Sequence, residues 1–476
     1  MRYKIYFILC IAALTSLHTA SAGAENLMEI YQRALQNDPV IREAEAIYLA
    51  GLEVKPQARS NILPSLAFSA GAGTSHSEDP NRPANFATGA LDPDILSTEV
   101  DRDTSNWAVS LNQTVFDWGQ FLQLKQADKF VARSEAAYQV AKQDLLLRVA
   151  STYFLVLAAE DTLASEQSAR EAIGRQLEQA QRRFEVGLIA ITDAQEAQAG
   201  YDLAVATEIS AQQNLATMRE FLREIIGEYV QELSPPMTEI PLATPQPASV
   251  EAWVDQALEQ NLLLIANRLT AEIARDGVSI QRSVRLPSIG LSGSLSQSGS
   301  DTIRFNNLIA NAPCFQAPPC PPLRTPARSD SESYSFSLNL RVPLYTGGFN
   351  ASRIKQAVYD HRAAIEVLEQ TARQTEREAR DAYLSVISEI SRVRALAQAV
   401  ESSRTALRAT EAGFEVGTRT TVDVLTSQNN LRRAETTYAR SRYDYILNVL
   451  RLKLAAGSLS IQDLEEVNGW LEASTT

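Results

Sequence analysis

The chain has 476 residues, with 44 lysines and arginines against 57 aspartates and glutamates and a formal net charge of -13. That acidic balance argues against wrapping a polyanion, so nucleic acid is not expected as a partner. Hydrophobic residues at 45% and charged residues at 21% exclude wholesale disorder and allow a large core. After residue 24 no stretch reaches the ~20 consecutive apolar residues of a spanning helix, which excludes an ordinary multi-pass helical membrane protein.

Residues 1–24 begin with Arg2 and Lys4, continue as an apolar run from Ile5 to Leu17, and end in small residues, Ala20-Ser21-Ala22-Gly23-Ala24. This is the pattern of a cleaved secretory signal peptide. Its removal takes the net charge from -13 to -15 and implies an extracytoplasmic protein. Cys10 lies inside the apolar run behind Ile8 and Leu9, so it reads as a signal-segment cysteine and not as a lipid anchor. Beyond the signal, residues 25–230 read as a first structural repeat, 231–249 as a Pro-rich linker, 250–465 as a second repeat and 466–476 as a C-terminal tail.

Three echoes in the same order carry the duplication. RSNILPS from Arg59 is answered by RSVRLPS from Arg282, SLNQTVFDWG from Ser110 by SLNLRVPLYTGG from Ser337, and FEVGLIAITD from Phe184 by FEVGTRTTVD from Phe414. Each copy opens with helical segments that end at Pro64 or Pro287, where proline stops a helix. The period then changes from 3.6 to 2. Leu66, Phe68 and Ala70 alternate with Ser65, Ala67 and Ser69; Trp107, Val109 and Leu111 alternate with Ala108, Ser110 and Asn112. In the second copy Ile289, Leu291 and Leu295 are followed by Tyr334, Phe336, Leu338, Leu340 and Val342, with serines and Asn339 between them. Strands are expected at about 64–77, 105–117, 287–298 and 334–344.

An apolar face backed by small polar residues fits either an ordinary two-layer sheet or an outer-membrane barrel wall. Irregular connections from Gly71 to Thr104 and from Gly299 to Ser333 suit extracellular loops. Four strands cannot close alone, and an open edge in lipid would leave backbone groups unpaired, so a membrane sheet demands further copies. Three would give twelve strands and two would give eight. Trp107, Trp118, Tyr334 and Tyr345 suit an aromatic belt or core packing.

Each strand pair leads into a proline-free helical stretch, Gly119 to Val186 and Phe349 to Val416, long enough for ~100 Å of helix. Seam positions alternate by four and three: Leu145, Val149, Thr152, Val156, Ala159 and Leu163, then Ile365, Leu368, Ala372, Thr375, Ala379, Ala382 and Val386. Gly187 and Gly417 break the helices, and return helices run from Thr192 to about Ile226 and from Thr421 to about Ala456. Long coiled-coil hairpins are therefore expected at about 119–228 and 349–456, a mainly α chain carrying four membrane strands. Asp193 with Glu196, and Thr420 with Asp423, have capping-box spacing.

No catalytic constellation emerges, since GxSxG, GxxxxGK[ST] and HExxH are absent and neither His76 nor His361 has a partner at ligand spacing. No enzyme activity, cofactor or metal is expected. Cys314 and Cys320, in a Pro-rich loop of an exported protein, are expected to form one small disulfide, with a metal or redox pair as the alternative.

Taken together, the segments ENLMEIYQRAL from Glu25, VGLIAITD from Val186, VGTRTTVDVL from Val416, VPLYTGG from Val342 and RYDYILNVLRLKLAAGSLSIQDL from Arg442 resemble the outer membrane efflux protein family over essentially the whole mature chain. The resemblance implies a homotrimer. It places a twelve-stranded barrel in outer-membrane lipid, continuous with a periplasmic α-helical tunnel. It implies as partners a periplasmic adaptor (membrane fusion) protein and an inner-membrane transporter of the ABC or RND type, for drug efflux or type I secretion. It also implies periplasmic gate links: Arg419 with Asp193 and Thr192, and Gln176 with Glu411. Phe414 stands where the family carries a tyrosine. Asp423 matches the first of two acids ringing the entrance, and Thr426 replaces the second, leaving three carboxylates per trimer instead of six. The turns Val186-Gly187-Leu188 and Val416-Gly417-Thr418 match the adaptor-docking tips. The competing class is a non-conducting periplasmic coiled-coil scaffold anchored at the outer membrane.

Overall fold

The computed structural model describes residues 24–79, 95–237, 240–308 and 323–472. The signal segment, Cys10 and the expected pair of Cys314 with Cys320 fall outside them. In chain order the elements are α1 (Leu27–Asn37), α2 (Pro39–Leu52), α3 (Val54–Ser60), β1 (Ser65–Asp79), β2 (Ile95–Phe116), α4 (Trp118–Glu185) and α5 (Ile191–Ile226). The second half follows with α6 (Val250–Gln260), α7 (Leu262–Ser283), β3 (Ser288–Leu308), β4 (Leu323–Arg341), α8 (Phe349–Glu415), α9 (Thr421–Ala455) and α10 (Ile461–Asn468). The chain divides into two compact units, one of Met1–Gly51, Ala132–Ala271 and Ala364–Thr476, the other of Leu52–Val131 and Glu272–Ala363.

The first unit is helical, and its core follows the four-three spacing of α4. Leu145, Val149, Thr152, Val156 and Ala159 are all buried, joined by Leu27 and Ile30 of α1, Ile226 of α5, and Ile446 and Leu450 of α9. The seam of α8 is buried at Thr375, Ala379 and Val386 and half-buried at Leu368 and Ala372, whereas Ile365 at its start remains 44% exposed. Residues 466–472, expected as a tail, are partly ordered into the core. Val467 and Leu471 are buried, and Leu471 bridges Pro236. Buried hydroxyls find backbone acceptors: Tyr153 donates to Ser234 O at 2.8 Å and Tyr445 to Ala243 O at 3.1 Å.

Asp38, 2% exposed, is held bidentately by Arg148 at 2.6 and 3.3 Å and accepts the backbone N–H of Ile41 at the start of α2. Removing one partner of a buried ion pair strands the other charge. Arg148→Met is therefore expected to cost about 3–5 kcal/mol. It should lower the urea midpoint of the helical unit, with most of the loss recovered in Arg148→Met/Asp38→Asn.

The second unit contains an antiparallel four-stranded meander in the order β1-β2-β3-β4. Directly opposed residues share a face, and the register sorts the side chains cleanly. Leu66 and Phe68 oppose Leu111 and Val109, Val109 opposes Leu295, and Leu291 and Leu295 oppose Leu338 and Tyr334. This apolar face is unprotected in one chain, with Leu66 73% and Tyr334 81% exposed. Phe336 lies over Gly293, where an added Cβ would come within 2.8 Å of its ring. The other face carries a serine ladder: Ser292–Ser337, Ser294–Ser335, Ser296–Ser333 and Ser298–Ser331, hydroxyl to hydroxyl at 2.7–2.9 Å.

Three strands are longer than expected. β2 begins at Ile95 where residue 105 was expected, β3 runs to Leu308 past residue 298, and β4 begins at Leu323 where residue 334 was expected, so much of the anticipated loops is strand. The reason is chemical. Beyond Trp107 and Gln297, which share a hydrogen bond at 3.0 Å, the apolar rows give way to charges such as Asp101, Asp301 and Arg328. Pairing continues there without the hydropathy alternation that makes a strand visible.

Candidate functional site

The hairpin turns are built alike. Two residues past the end of α4 stands Gly187, φ 76°, and two past the end of α8 stands Gly417, φ 77°. At each, the next residue's N–H reaches back five residues, Leu188 N to Arg183 O and Thr418 N to Gly413 O, both at 2.8 Å. The glycine N–H bonds the carbonyl three back, Phe184 or Phe414. This is a Schellman closure, which needs the left-handed residue glycine tolerates. It leaves Val186, Leu188 and Val416 at least 70% exposed, with Gly187, Gly417 and Thr418 exposed beside them.

The return helices start differently. Thr420 caps α9: its Oγ1 accepts from Asp423 N at 3.3 Å, while Asp423 Oδ2 accepts from Thr420 N at 2.9 Å and from its hydroxyl at 3.0 Å. The second expected capping box does not form. The N-cap of α5 is Ala190, without a side-chain bond, because the helix begins at Ile191, three residues before a box capped by Asp193 would start it, and puts Asp193 inside its first turn.

Hydrogen bonds from the Thr420 backbone and hydroxyl, assisted by the Arg419 charge, hold the Asp423 carboxyl below the usual aspartate range. A depressed folded pKa means this group favours the folded tip above the unfolded value, a contribution lost only as pH falls through the folded one. The Asp423 charge should thus persist between pH 7 and 5. A cation preference that depends on it, read as a reversal potential across a salt gradient, is expected to be unchanged over that interval and to fail only below about pH 4. Loss of the preference by pH 5 would contradict this.

The residues expected to join as gate links are not paired with one another among the described residues. Arg419 has no ion-pair partner among the described residues, and its side chain lies along Gly413, where a Cβ would fall 2.8 Å from Arg419 Cγ. Thr192 and Thr426 are exposed and Asp193 is half-buried. Gln176 is buried with both amide atoms lacking a partner among the described residues. Glu411 is exposed and lines a groove with Asp161, Leu407, Gln428 and Arg432. Two neighbours of this set were missed in the sequence. Gly413 was signalled only by a glycine inside a helical pattern. Arg183, whose guanidinium sits 4.9 Å from the Phe414 ring centre, carried no signal, because its partner is a remote residue of another helix.

The profile of the family described as outer membrane efflux protein matches residues 30–228 and again 253–458. The chain belongs to the outer membrane efflux protein family. It is 36% identical over 463 residues to outer membrane protein TolC of Vibrio cholerae serotype O1, covering 97% of each chain. It is 28% identical to the alkaline protease secretion protein AprF of Pseudomonas aeruginosa, covering 94% of this chain and 87% of that one. Among solved structures, the Campylobacter jejuni CmeC outer membrane channel superposes with a TM-score of 0.71 over 95% of this chain and 91% of that one, at 16% identity, a likeness of fold. Members of this family reside in the outer membrane, and the sheet with its apolar outer face is the part of this chain that suits it to lipid.

Proposed function

We propose that the mature chain is a passive exit duct of the outer membrane, serving efflux or type I secretion, and that it works as a homotrimer. The observation that carries the reading is the four-stranded sheet with two unpaired edges, apolar on one face and hydroxylic on the other. Lipid tolerates such a sheet only when neighbouring copies pair its edges. Three copies would enclose a twelve-stranded barrel lined by the serine ladder. The two repeats, 25–230 and 250–465, would each supply one strand pair and one hairpin, joined by the linker 231–249 after removal of the signal peptide.

The hairpin turns would serve as a gate. Arg419 of one hairpin would bond Asp193 and Thr192 of its neighbour, and Gln176 would bond Glu411. Arg419, exposed beside the turn and without an ion-pair partner among the described residues, supports a link made to a neighbouring hairpin. With Phe414 the family's tyrosine hydroxyl is gone, and stacking by Arg183 replaces part of that tether. Asp423 would ring the constriction, with Thr426 diluting the charge. The exposed apolar tips would meet a periplasmic adaptor coupled to an inner-membrane ABC or RND transporter. The relatives named for efflux and for protease secretion support export as the class.

Reconstitution in planar bilayers tests the reading. The duct reading expects small, long-lived resting channels. Electrically silent membranes at protein doses that insert detectably would instead favour the non-conducting scaffold.

A further inference from the structure

Above the apolar rows, the strands sort charge by face. Positions on the same face as Leu66 and Leu338 carry Glu78, Glu99, Asp101, Asp103, Asp301 and Asp330, partly matched by His76, Arg324 and Arg328. The opposite face, that of the serine ladder, is almost free of charge. From Ser65, Asn112, Ser292 and Asn339 upward it is serine, glycine, alanine, asparagine and threonine until Arg102 of β2 and Arg304 of β3. The register pairs Arg102 with Thr302 and Val100 with Arg304, so the two guanidinium stems are diagonal neighbours on one face, roughly 7–8 Å apart at Cα. Both are exposed and neither has an ion-pair partner among the described residues. Asp79, at the end of β1, is the one carboxylate on this face among the described side chains.

We infer that Arg102 and Arg304 form an anion-attracting collar just inside the mouth of the barrel where residues 80–94 and 309–322 connect the strands. This rests on the trimeric-duct reading, under which three copies bring six guanidiniums around one lumen. Carboxylates would be expected there if the mouth merely repeated the outer surface, or neutral hydroxyls if it continued the lining. Two arginines per chain against one aspartate make it positive instead. In a twelve-stranded barrel, wider than an eight-stranded one whose side chains fill it, the collar's field is screened toward the centre, because the Debye length is about 10 Å at 0.1 M salt, so monovalent ions would pass with modest bias. A compact polyanion that touches several guanidiniums at once is the ligand class the collar fits, through charge-assisted hydrogen bonds. Positive charge at the strand-loop mouth would favour passage of anionic cargo into the collar and disfavour re-entry of cations from outside.

The test uses the intact protein inserted in planar bilayers, with inositol hexakisphosphate added to one side at a time in about 0.1 M KCl. Block is expected from the strand-loop side and is relieved by raising the salt to about 1 M, where the Debye length falls to about 3 Å. Arg102→Ser/Arg304→Ser, which extends the native lining, is expected to raise the half-blocking concentration roughly tenfold, while Arg102→Lys/Arg304→Lys keeps most of the block because the charge is retained. Asp423→Asn should leave block from this side unchanged. Equal block from both sides, or block unaltered in the serine variant, would overturn the collar. Absence of channels from the unmodified protein would instead overturn the duct reading beneath it.

Discussion

Leu338→Arg is expected to abolish recovery of the assembled protein from the outer membrane. Leu338 sits mid-row on the apolar face, 69% exposed in the single chain, opposite Leu291 and flanked on its own strand by Phe336 and Leu340. An arginine on the lipid face of a barrel near the midplane costs about 2–4 kcal/mol, and a trimer would carry the change three times, a total comparable to the whole stability of many domains. The neighbouring inward position gives the control. Ser337→Arg faces the serine ladder, where a charge would meet water, and it should assemble normally while altering ion preference. Heat-resistant oligomer on gels, together with outer-membrane yield, reads both. Equal tolerance of arginine at 337 and 338 would mean the faces have been assigned wrongly.

Reversing charge at the gate should have the second large effect. In Arg419→Glu the arginine proposed to reach Asp193 of the neighbouring hairpin becomes a like charge. Even at ~1 kcal/mol for each partly exposed link, three links broken in concert change the closed-to-open ratio by about two orders of magnitude. Resting single-channel conductance should rise toward that of an open duct. Gly413→Ala should follow in the same direction with smaller amplitude, since its Cβ would displace the Arg419 stem that lies 2.8 Å away. Thr426→Asp should sharpen cation preference without raising conductance, which separates the constriction from the latch. Unchanged resting conductance in Arg419→Glu would remove Arg419 from the gate.

These expectations draw on parts of the chain that differ in how openly the sequence displays them. Pro64 and Pro287 mark helix ends, and the Leu66–Phe68 and Phe336–Leu338 alternation marks strands, because both signals are local and enforced by sterics or by lipid. Gly187 and Gly417 mark the turns because the backbone there needs positive φ. The upper halves of β2, β3 and β4 were not legible, since charges such as Asp101, Asp301 and Arg328 interrupt the apolar alternation that marks a strand. The capping box at Asp193 was misread because its spacing is equally satisfied by a first-turn acid, and only the entry at Ala190 decides which. Arg183 over Phe414 and Arg419 along Gly413 are contacts at a turn or between helices, which no local pattern reports. The proposed partners of Arg419 and Asp193 would lie on a neighbouring hairpin, and among the described residues the two are not paired with each other.

The central claim is that several copies must complete one cylinder around the hydroxylic face. The most direct measurement is the mass of the particle extracted from outer membranes in mild detergent, by light scattering that subtracts the detergent. The account predicts three mature chains per particle; a single chain that stays monodisperse in detergent-free buffer would contradict it.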